Sequence, residues 1–102
     1  MTEALAGCRI DVWLWRARFF RTRSLSAAYV EEGRVRLSRG AQQTRLDKAA
    51  RAVRSGDILI FAIGGRLHEV RVESCGVRRG SAAEARTLFS VLAESSVEAP
   101  GG

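Results

Sequence analysis

The chain has 102 residues, 46% of them hydrophobic, which suits one globular domain with a modest core and excludes a disordered chain. A formal net charge of +6 and a pI near 10.9 point to a polyanionic partner, because such a field attracts phosphate and is screened by salt. No apolar run follows a basic segment at the N-terminus and no stretch reaches the length of a membrane span, so neither a signal peptide nor a membrane partner is expected.

The charge is segregated. Residues 9–54 hold 12 of the 17 basic side chains against Asp11, Glu31, Glu32 and Asp47, a balance of +8, whereas residues 55–102 hold five basic and six acidic groups. Solubility alone gives no reason for that division. All but one of the cations are arginine, which a GC-rich genome would also produce, so position carries more information than identity. Cys8 and Cys75 form no CxxC or other ligand spacing and His68 is the only histidine. A metal site is therefore not expected, nor any other cofactor, and the two thiols read as unpaired in a reducing cytoplasm.

In chain order, residues 1–8 read as a flexible leader. A first helix follows, with Asp11 as a cap or first-turn acid. At about 100° per residue Ile10, Trp13, Leu14, Ala17 and Phe20 share one face, and Val12, Trp15 and Phe19 form a second strip. A helix apolar on two sides packs on two sides, so Trp15 and Phe19 read as core. The alternative is that one of them is exposed to stack on a nucleic-acid base. Thr22 then caps a second helix flanked by Arg21 and Arg23, with Ser24 in its first turn. This helix start offers amides, hydroxyls and cations to a phosphate. Leu25, Ser26, Tyr29 and Val30 are expected to face inward, and Gly33 to end the helix in the left-handed conformation.

Val35 and Leu37 alternate with Arg34, Arg36 and Arg39, a half-buried strand with a cationic outer face. Residues 38–51 read as a polar loop carrying Arg45, Lys48 and Arg51. A short strand Ala52-Val53-Arg54 and a turn at Ser55-Gly56-Asp57 precede the apolar strand Ile58 to Ile63, and Gly64-Gly65 signals a hairpin into residues 67–75. Ser81 and Glu84 form a capping box for a C-terminal helix with Ala82, Ala85, Leu88, Phe89 and Leu92 on one face. The end of the chain, residues 94–102, reads as a disordered tail.

Arg9-Ile10-Asp11, Thr22-Arg23-Ser24, Gly33-Arg34-Val35 and Gly56-Asp57 match the spacing of the S4 RNA-binding domain, or alpha-L motif, which this chain resembles. Within that superfamily, DVWLWRARFFRTRSL and the later RRGSAAEARTLF resemble the ribosome-associated heat-shock protein 15 family, over roughly residues 9 to 93. The resemblance implies an α+β fold, with two N-terminal helices packed on a small, mostly antiparallel sheet plus a C-terminal helix. It further implies binding to ribosomal RNA of the large (50S) subunit, on free subunits that hold a nascent chain on tRNA after heat stress.

The RNA surface of the superfamily carries over to Arg9, Arg16, Arg18, Arg21, Thr22, Arg23 and Ser24, with Arg36 on the adjoining strand. Two departures stand out. Ser38-Arg39-Gly40 replaces the usual Asn-Gly turn, and the following loop is about five residues longer than usual. Arg39, Arg45, Lys48 and Arg51 in that region either extend the RNA footprint or solvate the loop, and an extended footprint is expected.

The expected function is thus a cytoplasmic, monomeric binding module for structured RNA, without a small-molecule substrate. A DNA-binding helix-turn-helix regulator is the alternative. It would need base-reading side chains on the second helix, whose centre is Ser26, Ala27 and Ala28 followed by Glu31 and Glu32. An enzyme is not expected, because no nucleophile–base pair stands out and His68 falls within a strand.

Overall fold

The computed structural model describes residues 7–96. Strand β1 (Cys8–Arg9) leads into helix α1 (Ile10–Arg16), followed by α2 (Arg23–Glu31), β2 (Val35–Arg39), β3 (Gln42–Leu46), β4 (Ala52–Val53), β5 (Ile58–Ile63) and β6 (Arg66–Val72). A one-turn helix α3 (Ala82–Ala85), a 3-10 turn over Arg86–Leu88 and strand β7 (Phe89–Ser96) complete it. The fold class is α+β. One antiparallel sheet has the order β3-β2-β5-β6-β7, and β1 pairs with β4 beside it.

The helix expected to reach Phe20 stops four residues earlier, because Arg18 takes a left-handed conformation at φ 68°. The turn carries Phe19 into the core, with its ring 4.9 Å from both Phe61 and Phe89 and 5.5 Å from His68. A left-handed non-glycine residue costs about 1 to 2 kcal/mol. Half-burying Phe19 returns about 1 kcal/mol, and its pairs with Phe61 and Phe89 add about 0.5 to 1.5 kcal/mol each. Burial wins, and the helix ends.

Helix α2 starts as its sequence indicates, Thr22 Oγ1 accepting from the Leu25 amide at 3.1 Å, and Gly33 closes it at φ 77°. Ser26 and Val30 are buried, and Ser26 donates to the Asp11 carbonyl at 2.9 Å, joining the two helices. Leu25, expected inward, is 53% exposed. Leu25 stands one residue, about 100°, from Ser26 and so falls off the face that Ser26 and Val30 turn inward.

Within the sheet, Val35, Leu37, Leu46, Leu59, Phe61, Val70 and Val72 are buried and meet Ile10, Trp13, Leu14 and Val30 from the helices. The Gly64-Gly65 hairpin forms as expected, both glycines at positive φ between Ile63 and Arg66. The segment read as a polar loop instead folds back on β2 as β3, turning at Gly40-Ala41 with Arg39 opposite Gln42. As an edge strand it buries only Leu46 fully, so its sequence lacks the alternation that marks an inner strand.

The C-terminal helix is the larger correction. The Ser81–Glu84 capping box is present, but the helix lasts one turn. Phe89 then starts β7, which pairs with β6 from Val72↔Phe89 to Arg66↔Ser96 across an irregularity at Glu69/Val70. An open β6 edge offers a row of backbone partners that a helix there would leave unpaired. Ala85 and Leu88 of the expected apolar face are buried, while Leu92 is 39% exposed. Glu94–Ser96, placed by the sequence in the tail, belong to this strand; the rest of the tail and residues 1–6 of the leader lie outside the described residues.

The cysteines are also corrected. Cys8 and Cys75 are not two free thiols but are joined in a disulfide, with Cα atoms 6.0 Å apart. Strand β1 and the segment leaving β6 converge on Val53, which is why residues so distant in sequence meet.

Candidate nucleic-acid interface

The eleven residues assigned to RNA divide by what their side chains already hold. Arg9 grips buried Asp11 with Nε to Oδ1 at 3.0 Å and Nη2 to Oδ2 at 2.9 Å. This bond to Asp11, with its charge, raises the Arg9 pKa above the ordinary guanidinium value. Arg9 stays exposed, though Asp11 balances its charge. Arg39, in the same way, holds buried Asp57 at 2.8 and 2.7 Å, and its pKa is raised by that bond.

Arg16 and Arg18 are turned toward the loop after β6. Arg16 Nη1 donates to the carbonyls of Cys75 and Gly76 at 3.2 and 2.9 Å, while its Nε is buried without a partner. Arg18 Nε donates to the Gly80 carbonyl at 2.9 Å. Arg79 returns the contact, Nε to the Trp15 carbonyl at 3.0 Å and Nη2 to the Phe20 carbonyl at 3.4 Å, with its guanidinium 5.7 Å from the Trp15 ring centre. Three arginines thus form a seam between α1 and the 74–80 loop. Trp15 is half-buried beneath Arg79, and Phe19 is core, so neither is a free stacking platform.

The remaining cations are uncommitted. Arg21, Thr22, Arg23 and Ser24 are all exposed at the start of α2. Thr22 is occupied by the cap, and the Arg21, Arg23 and Ser24 side chains hold no hydrogen bond among the described residues. The cap satisfies the Leu25 amide and leaves the Arg23 and Ser24 amides without an intrahelical acceptor. This end therefore combines two free guanidiniums, a hydroxyl and the positive pole of a nine-residue helix.

Lys48 and Arg51 are exposed in the loop between β3 and β4, which is tied to α1 by Ile10 N to Arg51 O at 2.8 Å and Asp11 N to Ala49 O at 3.3 Å. Arg9, Lys48, Asp47 and Glu31 border one hollow, so this second group sits at the far end of α2. Eight residues at 1.5 Å each separate the two groups by about 12 Å along the helix.

Arg36 is exposed on β2 and stands directly opposite Arg45 of β3. Arg45, expected in a polar loop, sits instead on edge strand β3, whose sequence carries too little alternation to mark it. Arg34 lies 4.8 Å over the Tyr29 ring and pairs with Glu32 at 3.1 Å. His68 packs on Phe61 and Phe19 and approaches Glu94 at 3.4 Å. Among the described residues no three His, Cys, Asp or Glu side chains gather as a metal site, and no helix is long and apolar enough to cross a membrane.

Fold and surface together define an α+β domain with paired helices over an antiparallel sheet and exposed cations at both ends of the second helix. The chain is 33% identical over 90 residues to a heat shock protein 15 homolog of Haemophilus influenzae, covering 88% of this chain and 64% of that protein. It is 34% identical over 87 residues to the homolog of Aeromonas salmonicida, covering 85% and 62%. The solved heat shock protein 15 of Vibrio cholerae, described as trimeric, superposes with a TM-score of 0.73 at 32% identity, over 85% of this chain and 83% of that one. No protein-family model matches. The chain belongs to the heat shock protein 15 family. It spans somewhat under two-thirds of the length of the curated relatives it matches.

Proposed function

We propose that this protein is a cytoplasmic, S4-like RNA-binding module that binds structured ribosomal RNA of the large subunit and has no catalysis of its own. The observation that carries the reading is the start of α2, where Arg21, Arg23 and Ser24 are exposed and uncommitted around a helix terminus. Guanidiniums reach phosphates in bidentate fashion while the helix end fixes register. Lys48 and Arg51 at the other end of α2 give the surface length along a backbone. Recognition rests on shape and phosphates, because the A-form major groove is too narrow for side chains to read.

The name shared by the relatives supports a role in heat stress, and the resemblance adds recycling of stalled large subunits that carry nascent chain on tRNA. A monomer suffices for this surface, since every group in it comes from one chain. The DNA alternative is less well supported, because the exposed positions of α2 after its first turn include Ala28 and Glu31, with exposed Glu32 following. The test is competition between structured rRNA fragments and duplex DNA at fixed salt. Preference for RNA, lost with Arg21→Ala and Arg23→Ala together, supports the reading; equal or better binding of DNA overturns it.

A further inference from the structure

We propose that Cys8 and Cys75 form a thiol–disulfide exchange site for low-molecular-weight thiols of the glutathione class, one that sets the heat resistance of the domain and leaves RNA affinity unchanged. The inference does not depend on which RNA is bound. It rests on the cytoplasmic location proposed above, since disulfides in reducing compartments are characteristically transient or redox-sensing.

The bond joins residues 67 apart, linking the strand that enters α1 to the segment that leaves β6. Both cysteines are only half-buried, within reach of a small thiolate. Both also meet Val53, a fully buried residue. Cys8 pairs with it in the β1–β4 ladder, and Cys75 Sγ lies 3.7 Å from its carbonyl, a contact that a free thiol keeps by donating to it.

The segment around Cys75 is fastened independently of the sulfur. Trp13 Nε1 donates to the Ser74 carbonyl at 2.8 Å, and Arg16 holds the Cys75 and Gly76 carbonyls. Opening the bond therefore leaves two thiols facing each other on an intact frame, ready to close again. Arg16 also places positive charge beside the pair, which favours approach of an anionic tripeptide.

The chemistry balances. A glutathione thiolate attacks one sulfur, the protein S–S bond breaks as a mixed disulfide forms, and the departing protein thiolate takes a proton. A second glutathione thiolate attacks the mixed disulfide, releasing glutathione disulfide and the second protein thiol. Two electrons pass from two glutathione molecules to the protein, and glutathione disulfide drives the reverse. None of Arg21, Thr22, Arg23 and Ser24 bonds to β1 or to the 74–80 loop, and the loop carrying Lys48 and Arg51 is held by the Ile10 and Asp11 amides of α1 rather than by either cysteine, so the change reaches stability rather than the RNA surface.

The experiment is thiol titration of the native protein in glutathione buffers, with melting temperature and rRNA-fragment affinity measured on the same samples. The expected result is no free thiol in glutathione disulfide and two in reduced glutathione, both forms folded. Closing so long a loop should raise the melting temperature by about 10 °C or more. RNA affinity should differ by less than about twofold, as for an uncoupled distant site. Cys8→Ser and Cys75→Ser should each melt like the reduced form and lose the response; if one fails to fold, the other and the wild-type titration decide. Thiols that stay free in glutathione disulfide, a bond that opens only on denaturation, unfolding on reduction, equal melting of the two forms, or a large redox shift in affinity each overturn the proposal.

Discussion

Arg39 closes on the buried carboxylate of Asp57 through two parallel bonds of 2.8 and 2.7 Å, and the same carboxylate accepts the Arg54 amide at 2.9 Å. An arginine expected to reach RNA is thus the lock on the turn that launches β5. Removing one partner of a fully buried pair costs roughly 3 to 5 kcal/mol. Arg39 keeps 35% of its side chain in water, so Arg39→Ala is expected to cost about 2 kcal/mol by thermal or urea unfolding. RNA affinity measured well below the melting point should change little; an affinity loss without a stability loss would return Arg39 to the RNA surface.

The pH dependence of that lock has a definite sign. Arg39 is held above the ordinary guanidinium value by Asp57, and Arg9 by Asp11. A raised cation contributes stability in full below its unfolded value and loses it only as pH rises through the folded one. For both arginines that window is strongly alkaline. From neutral to mildly alkaline pH, Arg39→Ala and the wild type should therefore show parallel stability curves; curves that converge there would mean another group controls the pair.

Thr22 serves architecture and binding at once. Losing its 3.1 Å bond to the Leu25 amide in Thr22→Ala should cost about 1 kcal/mol of stability. It should also weaken RNA binding by loosening the first turn that carries Arg23. Thr22→Ser, which keeps the acceptor, is expected to restore both.

Arg23 is expected to behave differently. With its side chain exposed and unbonded among the described residues, Arg23→Ala should leave the melting temperature unchanged and weaken RNA binding by about 1 to 3 kcal/mol. Equal losses in both would make it structural. Arg71 and Arg86, on the near-neutral half, serve as controls whose charge reversal should matter little.

Arg36 and Arg45 face each other across β2 and β3, an arrangement that costs stability in the absence of an anion. Arg45→Thr is expected to raise stability by about 0.2 to 1 kcal/mol. A drop would show that the pair is compensated within the fold.

What the sequence disclosed follows from how far each determinant reaches. The Thr22 cap, the Gly33 terminus, the Gly64-Gly65 hairpin and the Ser81–Glu84 box are settled by neighbours within a few residues, and all four form as expected. Phe19 and β7 are decided by distant partners: an aromatic cluster outweighs another turn of α1, and the β6 edge captures what read as an amphipathic helix. The same reach explains the candidate site. Nothing near Arg16 or Arg18 in sequence shows that carbonyls about 60 residues away claim them, whereas Arg21 and Arg23 beside a capped helix remained legible. The Cys8–Cys75 bond, 67 residues across, left no local trace.

The account rests on exposed cations at the two ends of α2 gripping a phosphate backbone, and the salt dependence of affinity for a structured rRNA fragment tests it most directly. With one phosphate neutralised by each of Arg21, Arg23, Lys48 and Arg51, log affinity should fall against log salt with a slope of roughly −3 to −4. The slope should shrink by about one for each of Arg21→Ala and Arg23→Ala. A slope near −1, or one that these substitutions leave unchanged, would contradict it.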